Sequence, residues 1–137
     1  MQKIIIDTNI VVSAVIQNSY PHYIVYEHIF NKKVQLCLSK ELWTEYCEVL
    51  ARPKFSKIPN FKSHVDIVLN KFIKFAIFYE PKISLQIIKD VTDNKLLELA
   101  DESNSDFLIT GNHVDFKISN YNKTLILSPR NYWENYQ

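Results

Sequence analysis

A chain of 137 residues, 47% hydrophobic and 23% charged, has the makings of one globular domain over 1–137, and it holds no 18-residue apolar run of the kind a membrane span needs. Sixteen basic residues against fifteen acidic leave a net charge of +1, so bulk charge recruits neither nucleic acid nor an anionic membrane. A single glycine, Gly111, stands where average usage of about 7% would put nine or ten, which excludes a three-glycine dinucleotide fingerprint, a phosphate-cradling loop and a G-x-S-x-G elbow.

In chain order, Ile4-Ile5-Ile6 is β-branched without alternation, the pattern of a central parallel strand covered on both faces. Asp7 follows it, and Thr8 or Asn9 is expected to cap a helix through about Ser13. Tyr23 to Phe30 reads as a second helix ending near Asn31, and Val34 to Leu38 as strand two. Ser39 is a good N-cap for a helix from Glu41 to Leu50, which Pro53 ends; an amphipathic stretch follows from Phe61 to Phe75. After a break at Pro81, Thr92 or Asp93 caps a helix carrying Leu96, Leu97, Leu99 and Ala100. Phe107 to Thr110 is the next strand, Gly111 turns the chain, Leu125 to Leu127 is a last short strand, and Ser128-Pro129 opens a terminal helical turn. Strands separated by helices imply right-handed crossovers, hence a three-layer α/β/α domain with a central, mostly parallel sheet.

Cys37 and Cys47 form no C-x-x-C pair, the four histidines have no zinc-ligand spacing, and Met1-Gln2-Lys3 runs straight into a strand. The expectation is a protein without a signal peptide, in a reducing cytosol, with no zinc site.

Ligands of such a sheet bind at the carboxyl ends of its strands. Topology brings Asp7, the helix start at Asp93, and the segment Thr110-Gly111-Asn112-His113-Val114-Asp115 to that edge. Glu45 lies on one stripe with Glu41 and Glu48 and is the glutamate at the border of the apolar arc. Singly, each acid has an ordinary reading as a helix cap, a dipole partner or a surface charge. Their convergence points to a divalent cation that offsets their repulsion, and an all-oxygen donor set suits Mg²⁺ or Mn²⁺, ions that polarise a phosphoryl oxygen and activate water.

At these residues the chain resembles a known family. Ile4-Ile5-Ile6-Asp7-Thr8-Asn9-Ile10-Val11-Val12-Ser13-Ala14 looks like the opening motif of PIN-domain nucleases. Ser39-x-x-Leu42-x-x-Glu45-Tyr46-x-x-Val49-Leu50-x-Arg52-Pro53-Lys54-Phe55 is similar to the second motif of one branch, the toxin components of toxin–antitoxin pairs. Asp90-x-x-Asp93-Asn94-Lys95-x-Leu97-Glu98-Leu99-Ala100 and Ser105 to Asn112 resemble that branch's third and fourth motifs. The resemblance implies a Mg²⁺/Mn²⁺-dependent endoribonuclease with an RNA substrate and a cognate antitoxin protein, and it leaves a homodimer open. By position it assigns Asp7, Glu45 and Asp93 to the metal, and Asn9 to the family's supporting polar position, where with Thr110 it would meet substrate. Many relatives carry aspartate where Asn112 stands; the fourth acid is then either lost or supplied by Asp115, and both positions are candidates. Asp90 and Asp106 read as supporting or capping groups.

Local charge fits a polyanionic substrate. Residues 52–74 hold Arg52, Lys54, Lys57, Lys62, Lys71 and Lys74 against Asp66, a net of +5, whereas 90–106 carry a net of −5. A basic arm beside an acidic pocket could grip the backbone on either side of the scissile bond, with Arg52, Lys54 and Lys57 as first candidates. Phe55 and Phe61 lie within the arm, with core packing as their favoured reading. An aspartyl phosphatase would want D-x-D, which Asp7-Thr8-Asn9 breaks, and a phosphoacceptor domain would want a basic residue where Ser128-Pro129 stands. The non-enzymatic rival is a degenerate module that binds RNA or a protein without cutting, motivated by Asn112.

Overall fold

A computed structural model of the chain describes residues 1–86, 91–111 and 118–137, with backbone only for 91 and 92. The elements are β1 (Gln2–Ile6), α1 (Thr8–Ile16), α2 (Tyr20–Tyr23), a π-helical segment (Ile24–Ile29), β2 (Val34–Ser39), α3 (Lys40–Leu50) and a 3₁₀ turn (Pro53–Phe55). There follow α4 (Phe61–Phe75), β3 (Ile77–Tyr79), α5 (Val91–Ser103), β4 (Phe107–Ile109), β5 (Asn120–Tyr121), β6 (Thr124–Leu127) and α6 (Pro129–Asn135). No helix among the described residues is long and apolar enough to cross a membrane.

The strands form a six-stranded sheet in the order β3-β2-β1-β4-β6-β5, parallel except for the antiparallel pair of β5 with β6. β1 lies at its centre, with Ile4 opposite Leu36 on one side and Phe107 on the other. Successive strand residues face opposite sides, so complete burial of Ile4, Ile5 and Ile6 shows that both faces of the sheet are covered. This is the α/β architecture that the unbroken isoleucine run announces.

Several local expectations are revised. Asp7, rather than Thr8 or Asn9, is the N-cap residue of α1, with extended backbone at φ −65° and ψ 153°. Helix α5 already begins at Val91, so Thr92 and Asp93 stand in its first turn rather than at its cap. The helix expected over Tyr23 to Phe30 is one α turn followed by a π segment, with Phe30 N–H bonded to Val25 O and Lys33 N–H to His28 O. The wider turn buries Ile24, Val25, His28 and Ile29 together. Ser39 and Ser128 cap as expected, their hydroxyls accepting from the N–H groups of Leu42 and Asn131 at 3.1 Å each. Strand β3 was not foreseen, because its Ile77 and Phe78 are both exposed at the sheet edge and show no alternation. With one glycine in the chain, left-handed backbone falls to Lys32, Asn60, Asn104 and Asn122, asparagine being the residue that tolerates it best after glycine.

Candidate active site

The parallel strands set a common carboxyl edge. Asp7 leaves β1 there, its N–H bonded to Ile109 O of β4 at 3.0 Å. An aspartate in the N-cap position usually turns its carboxylate onto its own helix. Asp7 makes no such side-chain cap bond; its Oδ2 instead accepts from Thr110 Oγ1 at 2.8 Å, across the end of β4. The carboxylate is thus aimed over the strand ends, nine-tenths buried at 6% exposure.

Glu45 arrives on α3, which Ser39 starts at the same edge, and it is half-buried as its place on the border of the apolar arc suggests. Next to it, Tyr46 is completely buried and its hydroxyl donates to Ile6 O, the last carbonyl of β1. Burial first, then the negative charges of Asp7 and of Glu45, push that hydroxyl well above its ordinary value. Both carboxylates are thus within electrostatic reach of one buried phenol at the end of β1.

Asp93 belongs to the first turn of α5, where a carboxylate is favoured by the helix dipole, and it is 7% exposed. The other end of α5 lies at the amino edge of the sheet, since Ser103 O accepts from Lys3 Nζ near the start of β1. Thirteen residues of helix, about 18 Å at 1.5 Å per residue, carry its start back to the carboxyl edge. A cleft of about 290 Å³ joins the two helices, lined by Ser39, Glu41, Leu42, Glu45, Glu48, Lys95 and Leu96. The stripe of Glu41, Glu45 and Glu48 is legible in the sequence, but only the α3–α5 packing shows that Lys95 shares its wall.

Asn9 is exposed in the first turn of α1. Beside it the hydroxyl of Thr8 is buried and has no hydrogen-bond partner among the described residues, a polar atom of the kind that a bound ligand or water satisfies. Thr110, the other expected substrate contact, is fully buried, and its hydroxyl donates to Asp7. Asn112, Asp115 and Asp90 lie outside the described residues. Asp106 belongs to the opposite edge, where its Oδ2 accepts from Lys3 N–H at 2.8 Å and its Oδ1 lies 3.4 Å from Lys123 Nζ.

Among the described residues, no three His, Cys, Asp or Glu side chains form a ready-made metal cage. The donors directed to the edge are all oxygen, two of their carboxylates nine-tenths buried and an orphan hydroxyl beside them, a chemistry that fits a hard divalent cation.

The expected basic arm is divided rather than continuous. Arg52, Lys54 and Lys57 are exposed around the 3₁₀ turn, Arg52 being seven residues beyond Glu45 or about 10 Å further along the helix direction. Lys62 pairs with Asp66 at 3.8 Å, and Lys71 and Lys74 ride near the C-terminal end of α4, Lys74 in its last turn. Phe55 and Phe61 stack on each other at 5.0 Å, which assigns them to packing. A larger, mainly apolar cavity of about 520 Å³ lies there between α3 and α4, with Leu50, Arg52, Phe61 and Val65 in its wall.

Comparison with known proteins adds three findings. The chain is 28% identical over 124 residues to the uncharacterised protein MJ1680 of Methanocaldococcus jannaschii, covering 90% of this chain and 79% of that one. No solved structure matches it. The PIN domain matches residues 3–114, from the second residue of β1 to beyond Gly111. That match takes in every strand and helix that brings an acid to the carboxyl edge, and on it the chain belongs to the PIN-domain family, a family of nuclease-type modules.

Proposed function

We propose that the chain is an endoribonuclease that hydrolyses RNA phosphodiester bonds with Mg²⁺ or Mn²⁺, and that it is the toxin member of a toxin–antitoxin pair. The observation that carries the nuclease reading is the Asp7 carboxylate, turned from its own helix cap to Thr110 while acting with Glu45 on the buried hydroxyl of Tyr46. The toxin reading rests on the likeness of Ser39 to Phe55 to that branch's second motif.

Asp7, Glu45 and Asp93 would hold the ion, with Asn112 or Asp115 completing the set. A bound Mg²⁺ or Mn²⁺ supplies polarisation of the phosphoryl oxygen and activation of water. The protein's part is positioning. Thr110 fixes the rotamer of Asp7, Tyr46 ties α3 to the last carbonyl of β1, and the dipole of α5 favours the ionised form of Asp93. Because the Tyr46 hydroxyl is held protonated and already donates to Ile6 O, it serves as a strut and not as a proton source.

The test is purified protein on labelled single-stranded RNA, with Mn²⁺ and with chelator. Cleavage should require the metal, vanish in Asp7→Asn and Glu45→Gln with the fold retained, and survive in Glu41→Gln. Cleavage that persists in chelator refutes the metal mechanism. Asn112 favours a second reading, a module that binds RNA or a protein without cutting; metal binding and RNA binding with no cleavage would select it.

A further inference from the structure

Three lysines from two separate elements meet around one ring. Lys32, in the left-handed turn before β2, places its Nζ 4.6 Å from the centroid of Phe75. Lys71 and Lys74, near the C-terminal end of α4 with Lys74 in its last turn, place theirs at 5.6 and 5.7 Å from the same centroid, and Lys71 is also 5.8 Å from Phe30. The ammonium groups are thus within about 11 Å of one another, close to one Debye length at 0.1 M salt, so their repulsion is incompletely screened. The ring contacts offset part of it, at about 0.5–1 kcal/mol each in exposed positions.

Among the described residues no carboxylate pairs with these ammonium groups. The ion pairs among the described residues are Lys62–Asp66, Lys123–Asp106 and Arg130–Glu134, and none involves these three lysines. The dipole of α4 accounts for a cation on its last turn, but it does not account for Lys32 arriving from another element.

The cluster lies at the edge opposite the carboxylates. Phe75 O accepts from the side chain of Gln35, the second residue of β2, whereas the β1–β2 register brings Asp7 level with Ser39. Four residues of strand, about 13 Å, and two strand spacings, about 10 Å, separate the levels. One nucleotide cannot touch both places, but a strand of several can. All three lysines are exposed, and Phe30 and Phe75 between them are half-buried rings, the combination of free cations and aromatic surface that tracks a single-stranded backbone.

We propose that Lys32, Lys71 and Lys74, gathered around Phe75 at the amino edge of the sheet, form a second contact surface for the phosphate backbone of single-stranded RNA, remote from the carboxylates. This rests on the reading of RNA as substrate. Exposed positive charge that no described carboxylate pairs, set beside aromatic rings, favours a polyanion with stackable bases over an acidic protein.

Binding of a fluorescent 20-nucleotide oligouridylate is measured by anisotropy in chelator across a salt series, so that cleavage plays no part. The variant Lys32→Gln/Lys71→Gln/Lys74→Gln should bind more weakly, with the log–log salt slope reduced by about 2, from about 0.7 per lost single-strand contact. Lys123→Gln, which removes a paired lysine elsewhere, should leave the slope unchanged, and circular dichroism melting verifies the fold of both variants. With Mn²⁺, the triple variant should cleave a tetranucleotide as wild type does and lose about tenfold in kcat/KM on the 20-mer. An unchanged slope, no RNA binding by wild type, or equal affinity for polyglutamate with the same loss in the variant overturns the proposal, the last in favour of an acidic protein partner. Wild type that binds with the full slope but never cuts refutes the nuclease reading alone.

Discussion

Thr110→Val isolates the positioning of Asp7. Valine nearly matches threonine in shape, so the substitution exchanges only a hydroxyl for a methyl at a fully buried position, against a carboxylate oxygen 2.8 Å away. A hydrogen bond to a charged group is worth about 1.5–3 kcal/mol, which at 1.4 kcal/mol per decade corresponds to roughly 10- to 100-fold. Groups that orient metal-binding residues typically show losses of that size, about 10- to 100-fold in affinity or activity. If Thr110 holds Asp7 ready for the ion, the Mn²⁺ concentration for half-maximal RNA cleavage should rise by that factor. Calorimetric Mn²⁺ binding should weaken in parallel, and Thr110→Ser should restore both. A Thr110→Val protein that melts as a folded domain yet keeps the wild-type Mn²⁺ requirement would refute this account of the Asp7 rotamer.

Metal titration also separates the two candidates for the fourth position: Asn112→Asp should lower the Mn²⁺ requirement by adding a carboxylate, while Asp115→Asn should be nearly silent, and the reverse pattern would assign the role to Asp115. Tyr46→Phe removes the donor to Ile6 O at the centre of the carboxyl edge, so thermal melting should show a loss of about 1–3 kcal/mol; no change would mean that the strut carries no load. Burial pushes Tyr132, whose hydroxyl donates to Gln2 at 2.7 Å, up to about 12. An unfolded tyrosine ionises near 10, so this stabilising contribution is complete below about pH 10 and drains away as pH rises towards 12. Melting temperature should fall across that window, and Tyr132→Phe should fall less steeply; equal slopes would remove Tyr132 as a cause.

Much of the fold was legible because it depends on patterns a linear chain displays. Three consecutive isoleucines can be buried only in a strand covered on both faces, and Ser39 and Ser128-Pro129 mark helix starts by local hydrogen bonding alone. The order of strands and helices likewise sends Asp7, Glu45 and Asp93 towards one edge, since parallel strands all end on the same side. What the sequence could not contain was the direction of each side chain. That Asp7 abandons its own helix for Thr110 follows from β4 lying beside β1, a pairing between residues 103 positions apart. That Tyr46, an apolar-arc residue by periodicity, braces Ile6 follows from how α3 crosses the strand end. The basic run shows the same divide. Adjacent in sequence, its lysines read as one arm; helix α4, 15 residues or about 22 Å long, carries Lys71 and Lys74 away from Arg52 and sets them against Lys32. Composition counts charges, but the field at any point depends on distances between segments, and those come into being only when the chain packs.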